Sequence, residues 1–183
     1  MSSSKAVCVF CGSRLGNDPR YREIAAEVGE AIAARGWSLV YGGGDVGLMG
    51  AVADAVLAGA GEVIGVIPEY LVAREVAHAG ITETVVVDDL LERKRIMMAR
   101  ADAFLSLPGG VGTLDETLEV ITCRQLRQHQ KPIALLDFES HFRPFLQLLE
   151  SIVADGFLKD EETHYLIVEA TPAKIFDALE SQI

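Results

Sequence analysis

Short, continuous apolar segments alternate along the chain with longer segments in which apolar residues recur every three or four positions. The short segments, rich in Val, Ile, Leu and Ala, predict strands that are buried on both faces. The longer segments are typical of amphipathic helices. The predicted strands are residues 6–10, 38–41, 62–67, 84–87, 103–107, 132–136 and 165–168. The predicted helices are residues 19–35, 46–58, 88–100, 113–129, 142–154 and 172–181.

This alternation of strand and helix predicts an α/β fold, a single doubly wound, Rossmann-like parallel sheet with helices on both faces. The 183 residues contain no repeat, linker or low-complexity stretch, so we expect one domain over residues 1–183. In such sheets, ligands bind beyond the carboxyl ends of the strands. The loops that follow the strands are therefore where we expect a site.

Composition limits the partners that this chain can have. Half of the residues are hydrophobic and 23% are charged, as in an ordinary globular protein. Because the net charge is −11, with a pI near 4.8, we expect neither nucleic acid nor an anionic membrane as a partner. The slightly positive mean hydropathy hints at an apolar subunit interface.

The cysteines and the N-terminus indicate a cytoplasmic protein. The first residues, MSSSKAVCVFCGSR, hold too short an apolar stretch for a signal peptide, and no apolar run approaches a membrane span. The three cysteines form no disulfide framework, which favours a reducing compartment. Cys8 and Cys11 form C-x-x-C on a strand, where positions three apart face opposite sides. We therefore interpret them as core residues and not as a redox pair.

Three glycine-bearing turns follow predicted strands. They are Gly12-Ser13, residues 42–44 (GGG) and residues 109–112 (GGVG), and the topology would bring all three to one edge of the sheet. The last turn lies in the segment PGGVGTLDE, which runs from a strand into a helix. Bare backbone N–H groups and the positive end of a helix suit an anion such as a phosphate.

Glu116, at the end of PGGVGTLDE, has two interpretations. Thr113-x-x-Glu116 matches a capping box, in which both side chains bond to backbone amides at the helix start. Alternatively, a carboxylate beside a bound phosphate has a chemical role, because like charges repel and it cannot add affinity. We favour the chemical role, and the two interpretations are compatible if they apply to different states.

Arg93, Lys94 and Arg95 form the densest cationic cluster of this acidic chain. They are either a solvated helix face, with Asp89–Arg93 as a supporting i,i+4 pair, or the cations that an anionic ligand needs. The sequence does not decide between these two possibilities.

Other kinds of site find little support. Residues 41–50 (YGGGDVGLMG) match G-x-G-x-x-G loosely, but the first turn lacks that motif, so a nicotinamide dehydrogenase is not favoured. Gly47 and Gly50 have two equally good explanations. Either they allow close packing of the helix, or they allow a ligand to approach. The four histidines and three cysteines show no metal-ligand spacing, none of the five lysines is a clear Schiff-base candidate, and G-x-S-x-G is absent.

Several linked motifs resemble one known family. PGGVGTLDE matches the P-G-G-x-G-T-x-x-E signature of the Lonely Guy (LOG) family, the cytokinin riboside 5′-monophosphate phosphoribohydrolases, and Arg93-Lys94 falls where that family carries an Arg-Lys pair. The likeness extends to CGSR, LVYGGGDVGLMGAVADA, GVIPEYLVARE, ADAFLSLPGG, and EVITCRQL followed by HQKPIALL, so it covers roughly residues 7–157. Leu90 and Cys123 depart from the family, which often has methionine and tryptophan at these places.

The resemblance implies hydrolysis of the N-glycosidic bond of an adenine nucleoside 5′-monophosphate, with no metal or organic cofactor. It assigns Arg93 and Glu116 as the catalytic pair and implies a homo-oligomer, at least a dimer, with helices from two subunits near each site. The expected substrate contacts are Glu75, Lys94, Gly109, Gly110, Val111, Gly112, Thr113 and Thr122, and the other two glycine turns add Gly12, Ser13 and Gly43.

Two other functions stay open. One is a non-catalytic nucleotide-binding protein on the same fold, similar to molybdenum-cofactor carrier proteins, which would need the glycine turns but not Glu116 with Arg93. The other is a broad purine 5′-monophosphate nucleosidase, which differs only in the base that it accepts.

Overall fold

The structure, a computed structural model, describes residues 4–72 and 77–183. Seven strands lie in these residues and form one sheet. They are β1 (Ala6–Phe10), β2 (Ser38–Tyr41), β3 (Val63–Pro68), β4 (Glu83–Val87), β5 (Ala103–Ser106), β6 (Ile133–Leu136) and β7 (Leu166–Glu169).

Helices connect the strands. They are α1 (Arg20–Ala34), α2 (Gly47–Ala58), α3 (Glu69–Val72), α4 (Leu90–Arg100), α5 (Val111–Gln125), α6 (Arg143–Ala154) and α7 (Pro172–Glu180), with short 3-10 turns at Phe138–Ser140 and Asp160–Glu162. Within the described residues, no helix combines the length and apolar character needed to cross a membrane.

All strand pairs are parallel, in the order β4-β3-β2-β1-β5-β6-β7. The chain builds the sheet outward from β1 to β4, then returns to place β5 on the other side of β1. The predicted doubly wound α/β fold is therefore confirmed. The crevice between the carboxyl ends of β1 and β5 is the topological switch point, the usual ligand site in such folds.

Each face of the sheet is covered by its own set of helices. One core cluster packs α1, α2 and α7 against the sheet through residues such as Val28, Val52 and Phe176. The other packs α4, α5 and α6 through residues such as Met97 and Phe145. This double covering explains the continuous apolar strands.

Cys8 and Cys11 lie in opposite core clusters, as predicted for positions three apart in an extended chain. Both side chains are buried free thiols. The interpretation as core cysteines is confirmed.

The structure differs from the predicted elements mainly at helix ends. The helix predicted for residues 113–129 begins two residues earlier, at Val111, and ends at Gln125. Arg127, beyond its end, has φ of +60°, a left-handed backbone conformation that stops the helix. The short helix α3 directly follows Pro68 and was not predicted, because four residues are too few to show a helical period.

Candidate active site

A cavity of about 440 Å³ opens at the switch point, in the usual size range of small-molecule sites. Residues from the first and third glycine turns, together with Gly42, line much of it. Predicted site residues that line it are Gly12, Ser13, Arg93, Gly109, Gly110, Val111, Gly112, Thr113 and Glu116.

Backbone contacts tie the glycine turns together. The Gly12 N–H donates to the Pro108 carbonyl oxygen at 3.1 Å, and the Leu48 N–H donates to the Gly12 carbonyl oxygen at 3.0 Å. A Cβ on Gly47 would overlap the backbone of Ser13. The prediction that the three turns share one edge of the sheet is therefore confirmed.

Gly47 and Gly50 are glycines because of packing. Gly47 has φ of +70° and lies against the first turn, while a Cβ on Gly50 would overlap the Asp45 carbonyl. The packing interpretation thus explains both residues. Gly109 also lies in a crowded place, because a Cβ there would come within 2.7 Å of the Thr113 Cβ and 2.9 Å of the Gly12 nitrogen.

Gly110 and Gly112 lie in a different environment. A Cβ on either residue would meet no described atom within 4 Å, and neither has a left-handed backbone. Neither packing nor backbone geometry therefore requires glycine here. The space beside them lies at the N-terminus of α5, whose first amide groups have no intrahelical acceptor. A ligand anion that approaches this backbone closely would explain both glycines.

Arg93 points from α4 into the protein. Its side chain is buried, with Nε donating to the Val66 carbonyl oxygen at 3.0 Å and Nη2 to the Gly42 carbonyl oxygen at 2.7 Å. The Asp89 carboxylate accepts instead from the Glu92 N–H at 2.8 Å and caps α4. The solvated-face interpretation is therefore wrong for Arg93, which places its charge at the cavity.

Lys94 and Arg95 do not join Arg93 at the cavity. Lys94 forms ion pairs with Asp115, at 3.1 Å, and with Glu119, so it links α4 to α5. Burial alone would lower the pKa of Lys94, but its hydrogen bonds with the two carboxylates outweigh burial and raise it. Arg95 is exposed and lies 3.5 Å from Glu92. The cationic cluster of the sequence therefore separates into three environments.

Glu116 lies half-buried in the second turn of α5 and lines the cavity with Arg93. The N-cap of α5 is Gly110, and Thr113 is its third helical residue, so the predicted capping box with Thr113 at the N-cap is wrong. Burial first, and then the Glu116 carboxylate, raise the pKa of the Cys8 and Cys11 thiols. The charge of Glu116 thus acts close to the end of the central strand β1.

Besides Lys94, three predicted contacts lie away from the described cavity lining or cannot be placed. Thr122 is exposed on α5, and its hydroxyl donates to the Leu118 carbonyl oxygen at 2.8 Å. Gly43 has φ of +79° and lies against Ile67. Glu75 lies outside the described residues. Lys94, Thr122, Gly43 and Glu75 therefore remain predicted contacts.

Sequence reasoning missed three side chains of the cavity that carry a charged, phenolic or imidazole group, Arg14, Tyr21 and His141. His141 follows β6, and its Nε2 accepts the Gly109 N–H at 3.2 Å. Its ring lies edge-on to Tyr21, with centroids 6.1 Å apart. The only signal in the sequence was that His141 follows a predicted strand, residues 132–136, and ligands bind beyond the carboxyl ends of such strands.

Asp45, Asp54 and His78 bring ligand-type atoms within 4.8 Å of one another. The His78 Nδ1 accepts the Gly80 N–H at 3.1 Å, so in the neutral ring Nε2 carries the hydrogen and donates to Asp54 at 3.1 Å. A nitrogen that carries hydrogen cannot ligate a metal. The cluster is therefore a hydrogen-bonded contact between His78 and the acidic side chains. The backbone N–H of His78 also donates to the Gly43 carbonyl oxygen at 3.0 Å.

Comparisons with known proteins give one consistent result. A family model described as "Possible lysine decarboxylase" matches residues 49–179. The chain is 43% identical to a probable cytokinin riboside 5′-monophosphate phosphoribohydrolase of Oryza sativa subsp. japonica, LOGL2, over 98% of this chain and 73% of that protein. It is 44% identical to the cytokinin riboside 5′-monophosphate phosphoribohydrolase LOG1 of Arabidopsis thaliana, over 94% of this chain and 81% of that protein.

Solved structures share the fold at lower identity. A molybdenum cofactor binding protein from Rippkaea orientalis superimposes with a TM-score of 0.74 at 20% identity, over 99% of this chain and 98% of that one. A Moco carrier protein from Chlamydomonas reinhardtii gives a TM-score of 0.74 at 20% identity, over 97% and 96% of the two chains. These likenesses establish a common architecture.

Proposed function

The chain belongs to the Lonely Guy (LOG) family, and we propose that it hydrolyses the N-glycosidic bond of adenosine 5′-monophosphates, including N6-modified ones. The products are the free base and ribose 5-phosphate. The observation that carries this proposal is that Arg93 and Glu116 line one cavity with the open turn at Gly110 and Gly112. An anchor for phosphate and a carboxylate for a sugar cation are thus within reach of one nucleotide.

The 5′-phosphate binds at the turn formed by residues 109–113. The first amides of α5 donate to its oxygens, and the helix dipole adds a positive potential there. Since the phosphate is fixed, the ribose and its C1′ atom are held in the cavity beside Glu116. Such positioning removes part of the entropy cost of the reaction.

Glu116 acts on the reacting sugar. As the bond between C1′ and the base nitrogen breaks, positive charge develops on the ribose, and a carboxylate stabilises it. Glu116 also orients the attacking water and takes its proton. The water oxygen bonds to C1′, and the departing base gains a proton, so the reaction consumes one water.

Arg93 supplies a buried positive charge to the site. Its hydrogen bonds to the Val66 and Gly42 carbonyl oxygens fix the guanidinium plane, so its charge is already in position when substrate binds. In the complex it neutralises phosphate charge or positions Glu116 and the ribose hydroxyls. The Lys94, Thr122, Gly43 and Glu75 contacts complete the proposed substrate site.

We propose further that the protein is a cytoplasmic homo-oligomer, at least a dimer. Apolar side chains are exposed on the neighbouring helices α4 and α5, among them Leu91, at 71% exposure, and Leu118, and Leu126 directly follows α5. A second copy packed there would bring additional helices close to each site. This arrangement would also explain how residues outside the described cavity, such as Thr122, reach substrate.

The word decarboxylase in the description of the family model suggests another chemistry, which requires a lysine for a Schiff base. Among the described residues that line the cavity, none is a lysine. Lys94, the nearest lysine in sequence to Arg93, is paired with two acids instead. The side chains of the cavity therefore favour hydrolysis.

The test is incubation of the purified protein with AMP and with N6-isopentenyl-AMP, with free base and ribose 5-phosphate measured separately. We expect equal amounts of both products, and much slower release from the free nucleosides, because they lack the phosphate anchor. Tight nucleotide binding without release would instead support a carrier. Release from AMP and from other purine nucleotides at equal rates would identify a broad nucleosidase.

A further inference from the structure

We propose that His141 is a phosphate-binding residue whose protonation is coupled to substrate binding. The inference rests on the proposed function, because it assumes that the substrate phosphate binds at the turn formed by residues 109–113. His141 belongs neither to that turn nor to α5. It follows β6 along the chain and reaches the turn through its hydrogen bond with Gly109.

The His141 ring is held in a defined orientation. It lies edge-on to Tyr21, at 6.1 Å, and to Phe142, at 5.2 Å between centroids. The neighbouring backbone is fixed, since the Phe142 N–H donates to Asp137 at 2.7 Å. Packing and backbone together keep Nε2 directed at the turn, where it accepts the Gly109 N–H at 3.2 Å.

This hydrogen bond defines the protonation state before substrate binds. Because a backbone N–H can only donate, Nε2 must be the unprotonated nitrogen, and the ring is neutral. His141 therefore occupies one of the amide donors of the proposed phosphate site. The turn thus has an internal acceptor, the His141 Nε2, where the proposed phosphate would accept.

Substrate binding changes Nε2 of His141 from a hydrogen-bond acceptor to a donor. When a phosphate oxygen accepts the Gly109 N–H, Nε2 loses its donor and faces a negative oxygen. An acceptor beside an anion is repelled, whereas a protonated ring donates a charge-assisted hydrogen bond to it. Histidine changes charge between about pH 5 and 8, so this proton is available at physiological pH.

The surrounding charges are consistent with this exchange. The charged residues that line the cavity with His141 are Arg14, Arg93 and Glu116, and Tyr21 of α1 packs against its ring. On its own turn, Glu139 is paired with Arg20 at 2.7 Å, and Asp137 accepts the Phe142 N–H. These two carboxylates are thus already engaged, so the phosphate adds a new negative charge, beside that of Glu116, which protonated His141 meets in the cavity.

The test compares His141→Gln with the unmodified protein between pH 6.5 and 9. Glutamine keeps a polar group that can accept from Gly109 or donate to phosphate, but it cannot take up a proton. We expect the KM of the unmodified protein for AMP to rise by about tenfold over this range, while kcat changes little. In His141→Gln, KM should be about tenfold higher at pH 6.5 and should approach the unmodified value at pH 9.

Two further measurements make the result specific. Release of base from adenosine, which has no phosphate, should be insensitive to His141→Gln at every pH. His141→Phe keeps the aromatic packing and removes both nitrogens, so it should also raise KM for AMP at pH 6.5. An unchanged pH dependence of KM in His141→Gln would overturn the inference. Absence of base release from the unmodified protein would instead overturn the proposed function.

Discussion

Arg93 carries a full positive charge although only 7% of its surface is exposed. A buried charge is costly unless it is paired and hydrogen-bonded, and two backbone carbonyls, one within β3 and one directly after β2, accept from this side chain. Arginine suits this position because its fork of donors serves the protein and the cavity together. The sequence alone does not distinguish the environment of Arg93 from those of Lys94 and Arg95, because only the packing of α4 decides which of the three side chains points inward.

Glu116→Gln separates the chemical role from a structural one. We expect kcat for AMP to fall by about 1,000-fold or more, because the amide cannot stabilise the sugar cation or accept a proton. The Kd for AMP should stay unchanged or decrease, since a like charge near the phosphate is removed. Single-turnover base release and calorimetric binding measure the two quantities.

Asp115→Asn is the matched control on the same turn of α5, because Asp115 is exposed and pairs with Lys94. It should retain kcat within about twofold. If Glu116→Gln kept its activity and only unfolded at a lower temperature, Glu116 would be a structural residue and the proposed mechanism would be wrong.

The buried thiols predict a loss of stability in alkali. Burial raises the pKa of Cys8 and Cys11, so the folded protein keeps protons that the unfolded chain releases above about pH 8.5. Unfolding then releases protons, and the free energy of unfolding falls by up to about 1.4 kcal/mol per pH unit for each thiol. Urea melts between pH 7 and 10.5 should show this slope, and Cys8→Ala and Cys11→Ala should each reduce it. A slope equal to that of the unmodified protein in both variants would contradict the assignment.

At the scale of elements, strands could be predicted better than helix ends. Residues 6–10 and 38–41 match β1 and β2, because a strand buried on both faces leaves an uninterrupted apolar run. The start of α5 could not be predicted, since Thr113-x-x-Glu116 has the sequence of a capping box while Gly110 is the true N-cap. Because a glycine N-cap has no side chain, it leaves the first amides of α5 open to the cavity. The capping box stabilises an isolated helix, but a helix that binds a ligand can lack it.

Gly112→Ala tests whether the space at the N-terminus of α5 belongs to substrate. Within the described residues a Cβ there meets nothing, and alanine favours the helix, so stability should rise by about 0.5–1 kcal/mol. The KM for AMP should nevertheless rise about tenfold or more, because the methyl group intrudes on the phosphate.

Gly109→Ala is the matched comparison. Its Cβ would crowd Thr113 and Gly12, so the free energy of unfolding should fall by about 1–3 kcal/mol together with activity. Thermal melts and steady-state kinetics on the two variants separate packing from binding. Full activity in Gly112→Ala would mean that the phosphate lies elsewhere.

At the scale of the whole molecule, the sheet topology assembles the site. The convergence of the three glycine turns could be predicted because each turn follows a strand of a parallel sheet, so much of the cavity could be predicted from the sequence. His141 and the inward orientation of Arg93 depend on contacts between segments 32 and 27 to 51 residues apart, which no local pattern records. The features of the site that could not be predicted therefore depend mostly on contacts between residues far apart in the sequence.

The proposed dimer interface involves the exposed apolar side chains of α4 and α5. Since stable interfaces bury about 800 Å² on each partner around apolar anchors, Leu91→Glu should convert the proposed dimer to a monomer in light scattering. Base release should fall with dissociation, because Arg93 and Glu116 lie on these same helices. Leu148→Glu, on α6 and 56% exposed, is the control and should change neither mass nor activity. A fully active monomeric wild type would show that each chain completes its own site.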